Sequence, residues 1–141
     1  MLPSVLLSDH AGSMYRYMHD GTTGKSILIV DDNQAAADSL AKLLCALGWN
    51  ASGLYSARAA LDYLKTNSPD GIFLDIGMPE MDGYELVAIL RANGHLMPII
   101  ALSGYGLEDD KDKARAAGFT THLTKPAGAK ELTEVLARVG L

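Results

Sequence analysis

From Lys25 onward, short aliphatic runs that stop at a polar residue alternate with segments whose apolar residues recur at helical spacing, and this alternation constrains the fold more than any other feature. Ile27-Leu28-Ile29-Val30 stops at two acids, Ile72-Phe73-Leu74 at Asp75, and Ile99-Ile100-Ala101-Leu102 at Ser103. Continuous apolar runs of this length predict strands covered on both faces. A weaker strand is predicted at Asn50 to Tyr55, and a fifth strand at Thr120 to Thr124. Between them, Leu40, Leu43, Leu44 and Leu47 predict a helix capped by Asn33 and ended by Gly48. Ser56 is placed to cap a second helix carrying Ala57, Ala60, Leu61 and Leu64, and Asn93-Gly94 to close a third over Tyr84 to Ala92. Leu132, Val135, Leu136 and Val139 mark the buried face of a last helix after Pro126. The fourth helix, Glu108 to Ala117, is densely charged, with only Leu107, Ala114 and Ala117 as an apolar edge, and is expected to be marginal and exposed.

Strands alternating with helices imply a parallel sheet with helices on both faces, because each right-handed crossover covers one side. The expected class is α/β: a doubly wound, five-stranded parallel sheet in the flavodoxin-like order 2-1-3-4-5. In such sheets ligands bind beyond the carboxyl ends of the strands, near the switch point between strands 1 and 3. The domain so defined is 25–141. Residues 1–24 follow neither period and are expected to be a poorly ordered extension or linker, although Met14 to Met18 could dock as a short amphipathic piece. Twelve Lys and Arg against seventeen Asp and Glu give a formal charge of −5, the wrong sign for a nucleic-acid partner. No apolar run nears the roughly 18 residues that cross a bilayer, and the single Cys45 permits no internal disulfide. A cytoplasmic protein without a membrane partner is expected.

The residues just past the strands are Asp31 and Asp32, Asp75, Ser103 and Lys125. Three carboxylates at one edge repel, and oxygen-only ligands in an acidic pocket suit a hard cation such as Mg2+. Paired acids after a strand can also merely cap the next helix. Lys125 could be a plain ion-pair partner or, with the Ser103 hydroxyl, part of an anion site. Acids, metal, lysine and hydroxyl together suit a phosphoryl group, which a carboxylate can accept as an aspartyl phosphate. Asp75 is the candidate acceptor, and Gly77 keeps its approach free of bulky groups.

Four strings, Ile27-Leu28-Ile29-Val30-Asp31-Asp32-Asn33, Leu74-Asp75-Ile76-Gly77-Met78-Pro79-Glu80-Met81-Asp82-Gly83, Leu102-Ser103-Gly104 and Thr124-Lys125-Pro126, resemble the motifs of the receiver domain of two-component response regulators. The resemblance covers residues 25–141. It implies that Asp75 takes a phosphoryl group from a phosphohistidine on a histidine kinase or histidine phosphotransfer protein. It assigns Mg2+ to Asp32, Asp75 and the Gly77 carbonyl, with Asp31 acting through a water ligand. Lys125, Ser103 and the Gly104 amide would contact the phosphate, and the Lys125-Pro126 peptide would be cis. The family usually carries Tyr or Phe three positions before the lysine, a ring that moves with the serine; here His122 stands there. His122 could swing with Ser103 as the switch, or be a partly exposed ring that never moves. Gly77 and Tyr105 occupy the positions that tune phosphoryl lifetime in the family.

The leading expectation is a phosphoacceptor that catalyses only its own phosphorylation and dephosphorylation, rather than an enzyme, and that signals by binding a downstream protein. Only Gly140 and Leu141 follow Val139, so no output domain is expected; a stand-alone regulator, a relay shuttle and a receiver from a hybrid kinase all fit, with a homodimer left open. The alternative is a receiver-fold scaffold that binds proteins without phosphorylation. A dehalogenase-type phosphatase would carry a second acid where Gly77 stands, and a dinucleotide site would need Gly-x-Gly-x-x-Gly. Cys45, Trp49, His10, His19 and His95 are read as packing or surface residues.

Overall fold

The computed structural model describes residues 15–16, 24–104 and 111–141. Six strands, β1 (Tyr15–Arg16), β2 (Ser26–Val30), β3 (Asn50–Leu54), β4 (Gly71–Asp75), β5 (Ile99–Ser103) and β6 (Thr121–Thr124), form one sheet in the order β1-β3-β2-β4-β5-β6. The strands from β2 onward are parallel. Counted from β2 as the first, their order is 2-1-3-4-5, as the alternation of runs and helices predicts. β1 is an addition to that expectation: its backbone pairs antiparallel with β3, Tyr15 opposite Gly53 and Arg16 opposite Ser52. The other residues before Gly24, and the segment holding Tyr105 and Leu107, lie outside the described residues.

Helices α1 (Gln34–Ala46), α2 (Ala57–Tyr63), α3 (Gly83–Ala92), α4 (Lys111–Ala117) and α5 (Ala129–Arg138) fill the crossovers. The caps read from sequence are present. Asn33 accepts from the Ala36 amide, and Ser56 from the Ala59 amide. Gly48 and Gly94, with φ of 101° and 90°, take the left-handed turns that end α1 and α3.

The period-2 geometry of the strands sorts their side chains between two cores. Ile27, Ile29, Phe73, Ile100 and Leu102 pack against Ala37, Ala41 and Leu44 of α1 and Leu132, Val135 and Leu136 of α5. Leu28, Val30, Ile72, Leu74, Ile99 and Ala101 pack against α2, α3 and the single buried residue of α4, Ala114. Each fully buried Leu, Ile or Phe contributes about 1.5–3 kcal/mol, so the central strands are held from both sides while α4 is held by little. β6, the edge, has no fully buried side chain. Both cores close beneath the carboxyl ends of β2 and β4, where Asp31 and Asp75 emerge.

Candidate functional site

Asp31 is the first residue past β2 and is only 2% exposed. Its amide donates to the Leu54 carbonyl, and its Oδ1 accepts the Asn33 amide at 3.0 Å. The residue that caps α1 therefore also fixes this carboxylate. Asp75 ends β4, 8% exposed, with Oδ1 accepting the Gly77 amide at 3.1 Å. Asp32 is exposed beside them. One carboxylate oxygen from each of Asp31, Asp32 and Asp75 lies within 4.8 Å of the others. Three carboxylate oxygens this close together could serve a hard divalent cation such as Mg2+. The all-oxygen donor set fits that ion.

Lys125 follows β6 and enters from the opposite side. Its amide donates to the Ser103 carbonyl at 2.7 Å, tying it to the end of β5, and its peptide with Pro126 is cis. The ammonium Nζ stands 2.8 Å from Asp31 Oδ2 and 3.7 Å from Asp75 Oδ1. Burial alone would lower the lysine pKa. The hydrogen bond to Asp31 and the charges of Asp31, Asp75 and Asp32 outweigh it, so the pKa is raised above its ordinary value and the group stays a cation. Burial pushes the Asp75 carboxyl above its ordinary value, and Asp31 adds to the rise; the Gly77 amide and Lys125 pull the other way without cancelling it. Asp75 is thus a buried carboxylate that gains from an added cation.

Ser103 is the last residue of β5, buried, one position beyond the residue paired with Asp75; Gly104 follows it, exposed. Gly77 is exposed, and a Cβ built there would stand 3.7 Å from Asp75 Oδ1. His122 sits half-buried on β6 opposite Ala101 of β5. The strand-end acids and the lysine are therefore brought together, with Ser103 and Gly104 on the same edge, and His122 stands on β6 three residues before Lys125.

One structural requirement of the site was not seen in the sequence. Gly83 opens α3 directly against the acceptor strand: a Cβ there would fall 2.6 Å from Ile76 Cα and 2.9 Å from the Asp75 carbonyl oxygen. Its amide donates to the Ile76 carbonyl, and Asp82 caps the helix by accepting from the Glu85 amide. Asp82-Gly83 reads as turn chemistry alone; only the close approach shows why glycine is needed.

A parallel sheet of this order with acids at the ends of its first and third strands and a lysine after its fifth defines a doubly wound α/β domain with a charged pocket at the carboxyl edge of its sheet. Residues 27–137 match the response regulator receiver domain, and the chain belongs to that family of two-component regulators. It is 37% identical over 112 residues to an uncharacterized 14.6 kDa protein of Leptolyngbya boryana, covering 78% of this chain and 86% of that one. It is 35% identical over 122 residues to the transcriptional regulatory protein PrrA of Mycobacterium tuberculosis, covering 86% of this chain and 51% of PrrA. It is 34% identical over 106 residues to the response regulator MprA of Mycolicibacterium vanbaalenii, covering 75% of this chain and 46% of MprA. The chain thus spans about half the length of the two named regulators. Among solved structures, the chemotaxis protein CheY4 of Vibrio cholerae superimposes with a TM-score of 0.78 at 28% identity, over 83% of this chain and 99% of that one. The receiver domain of the sensor histidine kinase PA1611 of Pseudomonas aeruginosa, with a magnesium ion coordinated in its active site cleft, gives 0.73 at 31% identity, over 83% and 98%. No helix among the described residues is long and apolar enough to cross a membrane.

Proposed function

We propose that the protein is a phosphoacceptor that takes a phosphoryl group from a phosphohistidine donor onto Asp75, and that the added charge biases which partner it binds. The observation that carries this reading is the convergence of Asp31, Asp32 and Asp75 within 4.8 Å, with the Lys125 ammonium 2.8 Å from Asp31 and 3.7 Å from Asp75. Oδ1 of Asp75 is anchored by the Gly77 amide, leaving Oδ2 as the oxygen to attack phosphorus while the donor imidazole leaves. Lys125, already a cation, can turn from Asp31 toward the transferred phosphoryl oxygens without a proton transfer. The Ser103 hydroxyl and the Gly104 amide are the donors on the β5 side.

Asp31, Asp32, Asp75 and the Gly77 carbonyl would hold Mg2+, and the magnesium-bearing PA1611 receiver supports that assignment. Bound there, the ion would neutralise charge on the equatorial phosphoryl oxygens. Asp75, whose pKa burial raises, is a more basic nucleophile than an exposed aspartate. Histidine kinases or histidine phosphotransfer proteins are the donors, and the output is binding of a downstream protein, with Ser103 and His122 as the switch pair. Domain limits of 25–141, a cytoplasmic site of action and the absence of any reaction beyond its own phosphorylation and dephosphorylation belong to the same reading.

A radiolabelled, phosphorylated histidine phosphotransfer domain tests it. Label is expected to move to the native protein in the presence of Mg2+ and not to the Asp75→Asn variant. Equal labelling of both would place the acceptor elsewhere, and labelling of neither would favour a scaffold that binds without phosphate.

A further inference from the structure

Between α2 and α3 lies a groove of about 670 Å3 with an apolar floor of Leu61, Leu64, Ile89 and Leu90. Its rim carries Arg58, Lys65 and His95 against a single acid, Asp62. That acid already has a partner, the Lys65 ammonium 3.3 Å away along α2. Arg58 is exposed and forms no ion pair among the described residues. The groove therefore offers an unneutralised cation in a chain whose formal charge is −5. An apolar floor beside such a cation selects an occupant that is apolar along one side and carries a carboxylate.

Leu96 bears on the size of that occupant. It follows His95 in the chain and, at 89% exposure, is the one large apolar side chain left in solvent among the described residues. Its backbone is held on both sides: Arg91 donates to the carbonyls of His95 at 2.9 Å and Met97 at 2.7 Å, and the His95 amide donates to the Leu90 carbonyl. A leucine fixed outward beside an apolar groove extends the apolar surface past what a small molecule inside the groove would cover, so a protein segment fits better. Arg58 and Lys65 are seven residues apart on α2, about 10 Å or two helical turns. That is the span over which an amphipathic helix presents apolar residues at i, i+3, i+4 and i+7. A second copy of this chain is a poorer match, because a two-fold dimer through this face would set the same cationic rim against itself.

We propose that the α2–α3 groove docks an acidic, amphipathic helix of a partner protein, with the helix's apolar face on Leu61, Leu64, Ile89 and Leu90, a carboxylate on Arg58 and an apolar side chain against Leu96. The proposal goes beyond phosphoryl acceptance and rests on the reading above only in taking protein binding as the output. The groove shares no residue with the cluster of Asp31, Asp32, Asp75 and Lys125, so the two sites can be occupied independently.

The test is a 15N–1H NMR titration of the metal-free, unphosphorylated protein with a synthetic helical peptide of alanine, leucine and glutamate, its leucines at i, i+3, i+4 and i+7. The same peptide with glutamine for every glutamate, and one of the same composition with its leucines scattered around the helix, serve as comparisons. Saturable shifts confined to the amides of residues 58–65 and 89–97 are expected with the acidic amphipathic peptide alone. Arg58→Glu is expected to weaken binding by about tenfold or more, and Leu96→Ser by about fivefold. Both residues are exposed, and the dispersion of the same spectra reports whether each variant is folded. The proposal is overturned by scattered or non-saturating shifts, by an affinity that Arg58→Glu or Leu96→Ser leaves unchanged, or by either comparison peptide binding as well. Sedimentation of the protein alone adds a further check: a dimer that Leu96→Ser dissolves would make a second copy the occupant and overturn the proposal too. The titration uses nothing from the Asp75 pocket, so its failure leaves phosphoryl acceptance standing, and failed phosphorylation leaves the titration readable.

Discussion

Asp75 and Lys125 sit in one pocket with opposite consequences for stability. A carboxyl whose folded-state pKa is raised binds its proton more tightly when folded. Its favourable contribution is present below the ordinary value of 3.8 and is lost as pH rises through the folded value, above which the ionised Asp75 is a net burden. In the absence of metal, Asp75→Asn is therefore expected to raise the melting temperature at neutral pH by a few degrees, with the gain shrinking below pH 4; calorimetry across pH checks both. Lys125 is linked to pH in the same sense but at a higher window, so at neutral pH it stabilises. With its folded pKa raised above 10.5, its contribution is whole below that pH and is lost as pH rises through the folded value. Lys125→Met leaves Asp31, 2% exposed, without its 2.8 Å cation, and is expected to destabilise by about 1.5–3 kcal/mol in urea unfolding at neutral pH, the difference narrowing in strong alkali. The acids, Ser103 and Lys125 could all be read from sequence because each stands at or just past the end of a strand, and strand ends are fixed by local pattern. Which oxygen pairs with which cation could not, since residues 31 and 125 meet only through the crossovers of the sheet.

At the scale of elements, local chemistry settled the helices and distant contacts settled how they sit. Asn33, Ser56, Gly48 and Gly94 act within four residues of the ends they define, so sequence shows them directly. Arg91 gave no such signal. From the last turn of α3 it donates to the carbonyls of His95 at 2.9 Å, Met97 at 2.7 Å and Gly118 at 2.9 Å, joining α3, the entry to β5 and the turn after α4. These three partners lie up to 27 residues away and are backbone atoms, which no side-chain pattern can announce. The antiparallel edge strand at Tyr15–Arg16 was hidden for a similar reason, since two residues are too few to show a period. Gly83 yields a prediction at this scale. Gly83→Ala must push α3 off the end of β4, where a Cβ would stand 2.6 Å from Ile76 Cα. Overpacking of this kind costs about 1–3 kcal/mol, and because the displaced backbone carries Asp75, phosphorylation should slow as the melting temperature falls. A variant of full stability and native rate would contradict the contact.

Across the whole molecule, two separate cores hold the sheet rigid from both faces and leave its carboxyl edge to bring four charged side chains together. The doubly wound order was legible because each apolar run is short, unalternating and followed by a helical period, which leaves few topologies open. How α4 sits against β6 was not legible, because the sequence marks that helix as marginal. The central claim is that the strand-end carboxylates form one Mg2+-dependent phosphoacceptor centred on Asp75. Intact-mass spectrometry after incubation with acetyl phosphate tests it without any partner protein. The account predicts a gain of a single phosphoryl group that requires Mg2+ and is absent from Asp75→Asn; no gain in the native protein, or a gain that survives in Asp75→Asn, would contradict it.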